Sequence, residues 1–182
     1  MENIKIRTWG QIVIFLDMDD VLVNFSQGYK NVSGLFPWET ITPEERKIGK
    51  QHNNMSDPRA IRFWKPVIEE RNFWLNLDWM ADGRLLWKFF KRYRPVILTI
   101  PGQPLDVCKR QKTEWLHRNI GATYTIIFSD KKHELVSCDT DLLIDDSKQN
   151  VEAWCEAGGQ AILHVNAMDT IYEFLKMESY HV

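Results

Sequence analysis

Cysteine is scarce: Cys108, Cys138 and Cys155 are the only three in 182 residues, an odd number with no Cys-x-x-Cys pair. No disulfide framework is expected from them, and a reducing, cytoplasmic setting is. The five histidines, His52, His117, His133, His164 and His181, show no metal-ligand spacing. No apolar run approaches the roughly 20 residues that span a bilayer, and residues 1 to 11 lack the apolar core of a secretory signal, so no membrane partner is expected. A net charge of -2 supplies no bulk field for a phosphate backbone, which disfavours a polynucleotide substrate. Internal repeats and low-complexity tracts are missing as well.

What the chain does have is 44% hydrophobic content, enough for one α/β core with a small insertion. The core is organised around Ile12-Val13-Ile14-Phe15-Leu16-Asp17-Met18-Asp19-Asp20-Val21-Leu22. Five apolar residues without alternation, running straight into carboxylates, read as a strand buried on both faces whose C-terminal end opens onto a site. Gathering Asp17, Asp19 and Asp20 there costs several kcal/mol of repulsion and desolvation unless a cation offsets it. Hard oxygen ligands with no Cys or His beside them suit magnesium. Asp141-Leu142-Leu143-Ile144-Asp145-Asp146-Ser147 repeats the pattern, and two acidic strand ends in one small domain together ask for a metal.

Further apolar runs, Val96-Ile97-Leu98-Thr99, Tyr124 to Phe128 and Gln160 to Val165, read as strands. Helical patterns separate them, at Asp82 to Phe90, Leu105 to Asn119, from Asn150 as N-cap, and at about Met168 to Met177. In the helix from Leu105, Lys112 interrupts a stripe of Leu105, Cys108, Trp115 and Leu116, so either its stem snorkels past the core edge or its ammonium serves the site. Alternating strands and helices argue for a doubly wound, Rossmann-like parallel sheet covered on both faces. Residues 25–78 differ: rings (Phe25, Tyr29, Phe36, Trp38, Phe63, Trp64, Phe73, Trp74) alternate with polar helix-type segments, with helix starts at Thr42-Pro43-Glu44-Glu45 and Asp57-Pro58. This reads as a small helical cap inserted after the first strand, with 1–24 and 79–182 as the core. Most of these rings pack a mini-core, and some are the kind of surface on which a nucleobase stacks.

The sequence resembles the haloacid dehalogenase-like (HAD) phosphatase superfamily, and within it the 5'(3')-deoxyribonucleotidases. The resemblance rests on Asp17-Met18-Asp19-Asp20-Val21, with Asp20 where the family often has Gly, on Thr99 ending the second strand, and on Leu143-Ile144-Asp145-Asp146. It extends to Phe73-Trp74-Leu75-Asn76-Leu77 and Lys112-Thr113-Glu114-Trp115, while Ile100-Pro101 stands where the family tends to have Ser-Pro. It implies a HAD-like fold and a magnesium-dependent phosphomonoesterase working through an aspartyl-phosphate. Asp17 would be the nucleophile and Asp19 the acid and base; Thr99 and Lys132, with Lys131 as the fallback register, would hold the phosphoryl oxygens. Asp17, Asp19, Asp145 and Asp146 would bind magnesium, and Phe25, Phe73, Trp74, Lys112 and Lys131 would contact substrate. The implied partner is a small phosphate ester, a nucleoside monophosphate foremost; a homodimer is left open. The alternatives are a phosphatase for another small ester, a nucleic-acid end-processing phosphatase and a non-catalytic binding module.

Overall fold

A computed structural model describes residues 12–42 and 54–179. Among these residues no helix is long and apolar enough to cross a membrane. The expected capping box at Thr42 to Glu45 lies largely outside them.

The chain forms two compact units, residues 1–22, 80–100 and 124–182, and residues 23–79 and 101–123. The first holds a five-stranded sheet in the order β3-β2-β1-β4-β5. Its strands are β1 (Ile14–Leu16), β2 (Val96–Thr99), β3 (Ile126–Phe128), β4 (Leu142–Asp145) and β5 (Gln160–Leu163), and every pairing is parallel. β1 lies in the middle, with Leu16 opposite Ile97 on one side and Ile144 on the other. Its apolar run lacks alternation because both faces are covered. Phe15 packs on Trp154 at 5.0 Å between ring centroids, in a cluster with Val13, Val96, Leu98 and Leu143. At the C-terminal end of β1 the order reverses between β1 and β4, the place where open α/β sheets hold ligands.

Three helices of this unit are α3 (Gly83–Phe90), α5 (Lys148–Glu156) and α6 (Ala167–Ser179). Gly83 is fixed by close approach: a Cβ there would lie 2.6 Å from the Leu22 carbonyl oxygen. α3 ends as expected ahead of Pro95, through a 3-10 turn over Lys91–Tyr93 and Arg94 at φ 51. Asn150, read from sequence as an N-cap, lies inside α5, and Ser147 occupies the cap position instead. The Asn150 side chain has another task, described below.

The second unit contains α1 (Phe25–Ser33), α2 (Pro58–Glu69) and α4 (Leu105–Ile120). Asn24 caps α1 by accepting from the Gln27 N–H, and Asp57 caps α2 by accepting from Arg59 N–H. α4 stops at Gly121, whose φ of 101 suits glycine. The sequence pattern assigns α4 to the core; its contacts group it with residues 23–79. The reason is long-range hydrogen bonding: the Trp115 indole N–H donates to the Leu77 carbonyl at 2.8 Å, and the Gln111 amide to the Arg71 carbonyl at 2.9 Å.

Candidate active site

Asp17 follows β1 directly, its backbone N–H donating to the Ile144 carbonyl at 3.0 Å. This bond ties the end of β1 to β4, so Asp17 and Asp145 leave adjacent strands side by side. Asp20 turns the chain at φ 54, a left-handed conformation that Asp tolerates better than most residues, and Val21 and Leu22 return to the core. Thr99 closes β2 and is fully buried.

Lys132 starts the 3-10 turn Lys132–Leu135 and points inward. Its Nζ lies 2.7 Å from Asp17 Oδ1 and 2.6 Å from Asp145 Oδ2, with only 2% of its side chain exposed. Lys131, one residue earlier, turns outward and pairs with Glu134 at 2.9 Å. Asp145 is held on all sides: beyond Lys132, its Oδ1 accepts from the Ser147 N–H at 2.9 Å, and the Asn150 amide donates to both oxygens at 3.0 and 3.1 Å. Asn150 is therefore the site residue that the sequence reading placed elsewhere. A short polar side chain near a helix start gives one and the same signal whether it caps the helix or reaches back to the preceding strand.

Asp17, Asp145 and Asp146 bring one carboxylate oxygen each to within 4.8 Å of one another. Burial, opposed by Lys132 and reinforced by Asp145, Asp146 and Asp19, pushes the Asp17 carboxyl well above the usual range. Asp146 keeps contact with solvent; partial desolvation, then the charges of Asp145 and Asp20, push its carboxyl up to about 7 despite Lys132. Burial works against the Lys132 ammonium, but Asp17 and Asp145 outweigh it and raise its pKa. We take the ion pair as formed: 2.7 Å is the length of a charge-assisted hydrogen bond, and the one ammonium is flanked by two carboxylates. One ammonium among three carboxylates leaves an anionic excess, which a hard divalent cation with oxygen ligands fits.

The remaining predicted site residues, Phe25, Phe73, Trp74 and Lys112, belong to the second unit. Phe25 stacks on Trp74 at 5.4 Å and 12°, and Phe73 meets both rings edge-on at 5.9 and 5.0 Å. Phe73 and Trp74 are buried, whereas Phe25 is half-buried. Lys112 does not snorkel to solvent: it is fully buried with Nζ 4.7 Å from the centre of the Trp74 ring. Leu105, expected on the same buried stripe, is exposed, and Gln111 is buried instead. Two buried polar atoms beside these rings, Trp74 Nε1 and Gln111 Oε1, have no hydrogen-bond partner.

Residues 11–181 match the family described as 5' nucleotidase, deoxy (pyrimidine), cytosolic type C protein. No protein of curated function matches the chain at a significant level. Among solved structures, a haloacid dehalogenase-like family hydrolase from Streptococcus pneumoniae is similar with a TM-score of 0.54 at 11% identity, covering 94% of this chain and 99% of that one. A hydrolase from Streptococcus pneumoniae TIGR4 is similar with a TM-score of 0.52 at 17% identity, covering 91% of this chain and 98% of that one. At such identities the likeness is one of fold, and that fold is the HAD-hydrolase α/β architecture.

Proposed function

The chain belongs to the deoxy (pyrimidine), cytosolic type C 5'-nucleotidase family, and from that premise we propose that it is a magnesium-dependent phosphomonoesterase acting on deoxyribonucleoside monophosphates in the cytoplasm. The observation that carries the phosphatase chemistry is the Lys132 ammonium seated between Asp17 and Asp145, with Asp146 alongside. A carboxylate at a strand end, kept ionised by a neighbouring ammonium, carries the charge that attack on phosphorus requires.

Asp17, Asp145 and Asp146, with the Asp19 backbone carbonyl, would hold magnesium, which supplies positive charge against the carboxylates and the phosphoryl oxygens. Asp17 attacks phosphorus, and the P–O bond to the sugar breaks. Asp19 donates its proton to the departing alkoxide. A water molecule then gives a proton to Asp19 and attacks the aspartyl-phosphate, releasing inorganic phosphate and restoring the Asp17 carboxylate. Thr99 donates its hydroxyl to a non-bridging oxygen and Lys132 offsets the charge there, and Lys132 holds Asp17 ionised between turnovers.

Family membership supports a nucleoside leaving group, and so do the rings and the two orphaned polar atoms of the second unit. Within that unit Phe25, Phe73 and Trp74 are rings of the kind on which a base stacks, and Trp74 Nε1 is a donor and Gln111 Oε1 an acceptor that no protein group satisfies. The second reading, a phosphatase for another small ester, draws on the mutual packing of those rings, which fills a core without any ligand. A panel of 5'- and 3'-deoxyribonucleoside monophosphates, ribonucleotides and sugar phosphates, assayed with magnesium and then with EDTA, separates the two. Turnover of deoxyribonucleotides above all others, lost in EDTA, is expected; a preference for sugar phosphates would overturn the nucleotide reading, and full activity in EDTA the metal.

A further inference from the structure

The acidic balance of the whole chain conceals a local inversion. Between Gly83 and Leu105 there is no Asp or Glu, while Arg84, Lys88, Lys91, Arg92 and Arg94 crowd into eleven residues. All five are exposed. Arg84, Lys88 and Lys91 recur at i, i+4 and i+7 along α3 and the 3-10 turn that continues it, so they form one row roughly 10 Å long.

Three of these cations differ from five others on the surface. Lys65, Arg118, Lys131, Lys148 and Lys176 each pair with a carboxylate three or four residues away. Among the described residues Lys88, Lys91 and Arg94 form no ion pair, and Glu173 of the neighbouring helix α6 is engaged by Lys176. The Arg92 guanidinium lies over Phe89 at 4.3 Å and Tyr93 at 5.0 Å, two half-buried rings set among the cations.

We propose that this face of α3 docks a single-stranded nucleic acid through its phosphate backbone, apart from the hydrolytic site and whatever ester that site takes. Charge complementarity selects a polyanion, since exposed cations spaced along one face, with Lys88, Lys91 and Arg94 engaged by no carboxylate among the described residues, bind by releasing the counterions of several phosphates at once. Rings among the cations offer bases a stacking surface. An anionic membrane fits less well: Leu86, Trp87 and Phe90 turn into the core, so the helix keeps only Leu85 as an exposed aliphatic residue and has no apolar face to bury among lipids. Docking of this kind would hold a nucleotide-consuming enzyme beside a polymer whose breakdown releases nucleotides.

The test is fluorescence anisotropy of the full chain with a labelled oligodeoxythymidylate lacking terminal phosphates, so that the hydrolytic site has no monoester to bind. With three or four phosphates contacted, log Kd should change with log salt at a slope of about 2 to 3, and Lys88→Gln with Lys91→Gln should lower that slope by about 1.4. The same double variant should keep wild-type activity on a small aliphatic phosphate and a wild-type melting temperature. Binding that does not respond to salt, or a double variant that binds like the wild type, would overturn the proposal. So would binding to phosphatidylserine vesicles, lost in the variant, without binding to the oligonucleotide.

Discussion

Lys132 and Asp17, 115 positions apart in sequence, meet at 2.7 Å inside the protein, and the same ammonium reaches Asp145 at 2.6 Å. Lys132→Ala should therefore abolish phosphatase activity and destabilise the fold, because it leaves two buried carboxylates without their counter-ion. Lys131→Ala should be mild, since that side chain is 63% exposed and its ion pair with Glu134 lies on the surface. Steady-state kinetics of the two variants decide the matter, and the opposite order would move the phosphate lysine by one residue.

Asp17→Asn should lose turnover by at least about 10⁴-fold, a small part of the acceleration typical of enzymes, while its melting temperature stays level or rises. Neutralising a carboxylate that burial and three acidic neighbours disfavour removes repulsion. Activity above about one per cent of wild type would take the nucleophile role away from Asp17.

Without metal, Asp146 binds its proton more tightly in the native state than in the unfolded chain, where the value is 3.8. The stability it contributes is complete below that value and is lost as pH rises through about 7. In EDTA the melting temperature should therefore fall as pH goes from about 6 to about 8, Asp146→Asn should flatten that fall, and magnesium should reverse it at the upper end. Burial lowers the pKa of His164 below 6.5, which weakens the fold on acidification below that value and leaves the higher window to the carboxylates. A wild-type profile that rises with pH in EDTA would contradict the assignment.

Asn150 donates to both oxygens of Asp145 and touches no reacting atom, so it acts by positioning. Asn150→Ala should weaken magnesium binding by about 10- to 100-fold. Titrating activity against magnesium should show a higher half-saturating concentration with the maximal rate largely recovered. Loss of rate with unchanged magnesium dependence would remove Asn150 from this role.

Phe25 contacts four other rings within 6.4 Å, so Phe25→Ala should lower the melting temperature. If it also stacks on a base, kcat/KM for a deoxyribonucleoside monophosphate should drop about 10- to 100-fold while an aliphatic phosphate is little affected. Equal losses on both substrates would confine Phe25 to packing.

The strands of the core were legible because a parallel strand buried on two faces cannot alternate: Ile12 to Leu16 and Leu142 to Ile144 announce themselves as unbroken apolar runs, and the carboxylates that end them lie side by side as the pattern suggests. Asp20, standing where the resembled family often has Gly, takes the left-handed conformation that glycine would permit. What escaped the sequence is long-range or ambiguous. Trp115 meets Leu77 across 38 residues, with no local trace of the hydrogen bond that draws α4 out of the core grouping. Asn150 gives the signal of a cap and spends its amide on Asp145. Lys112 interrupts an apolar stripe, and whether such a lysine reaches water depends on a neighbour, Trp74, from another part of the chain.

The strand order sets a schedule for biosynthesis. Of the five strands described, β1 leaves the ribosome first and lies in the middle of the sheet, yet β4, the neighbour that carries Asp145, is not made until 126 residues after β1 has been completed. At roughly 5 to 20 residues per second the nascent chain spends several seconds with one flank of this wholly apolar strand unpaired. During that interval Asp17 has neither Lys132 nor Asp145 beside it. The emerging polypeptide is therefore sticky, and Asp17 acquires its counter-ion Lys132 only after 115 further residues have been translated.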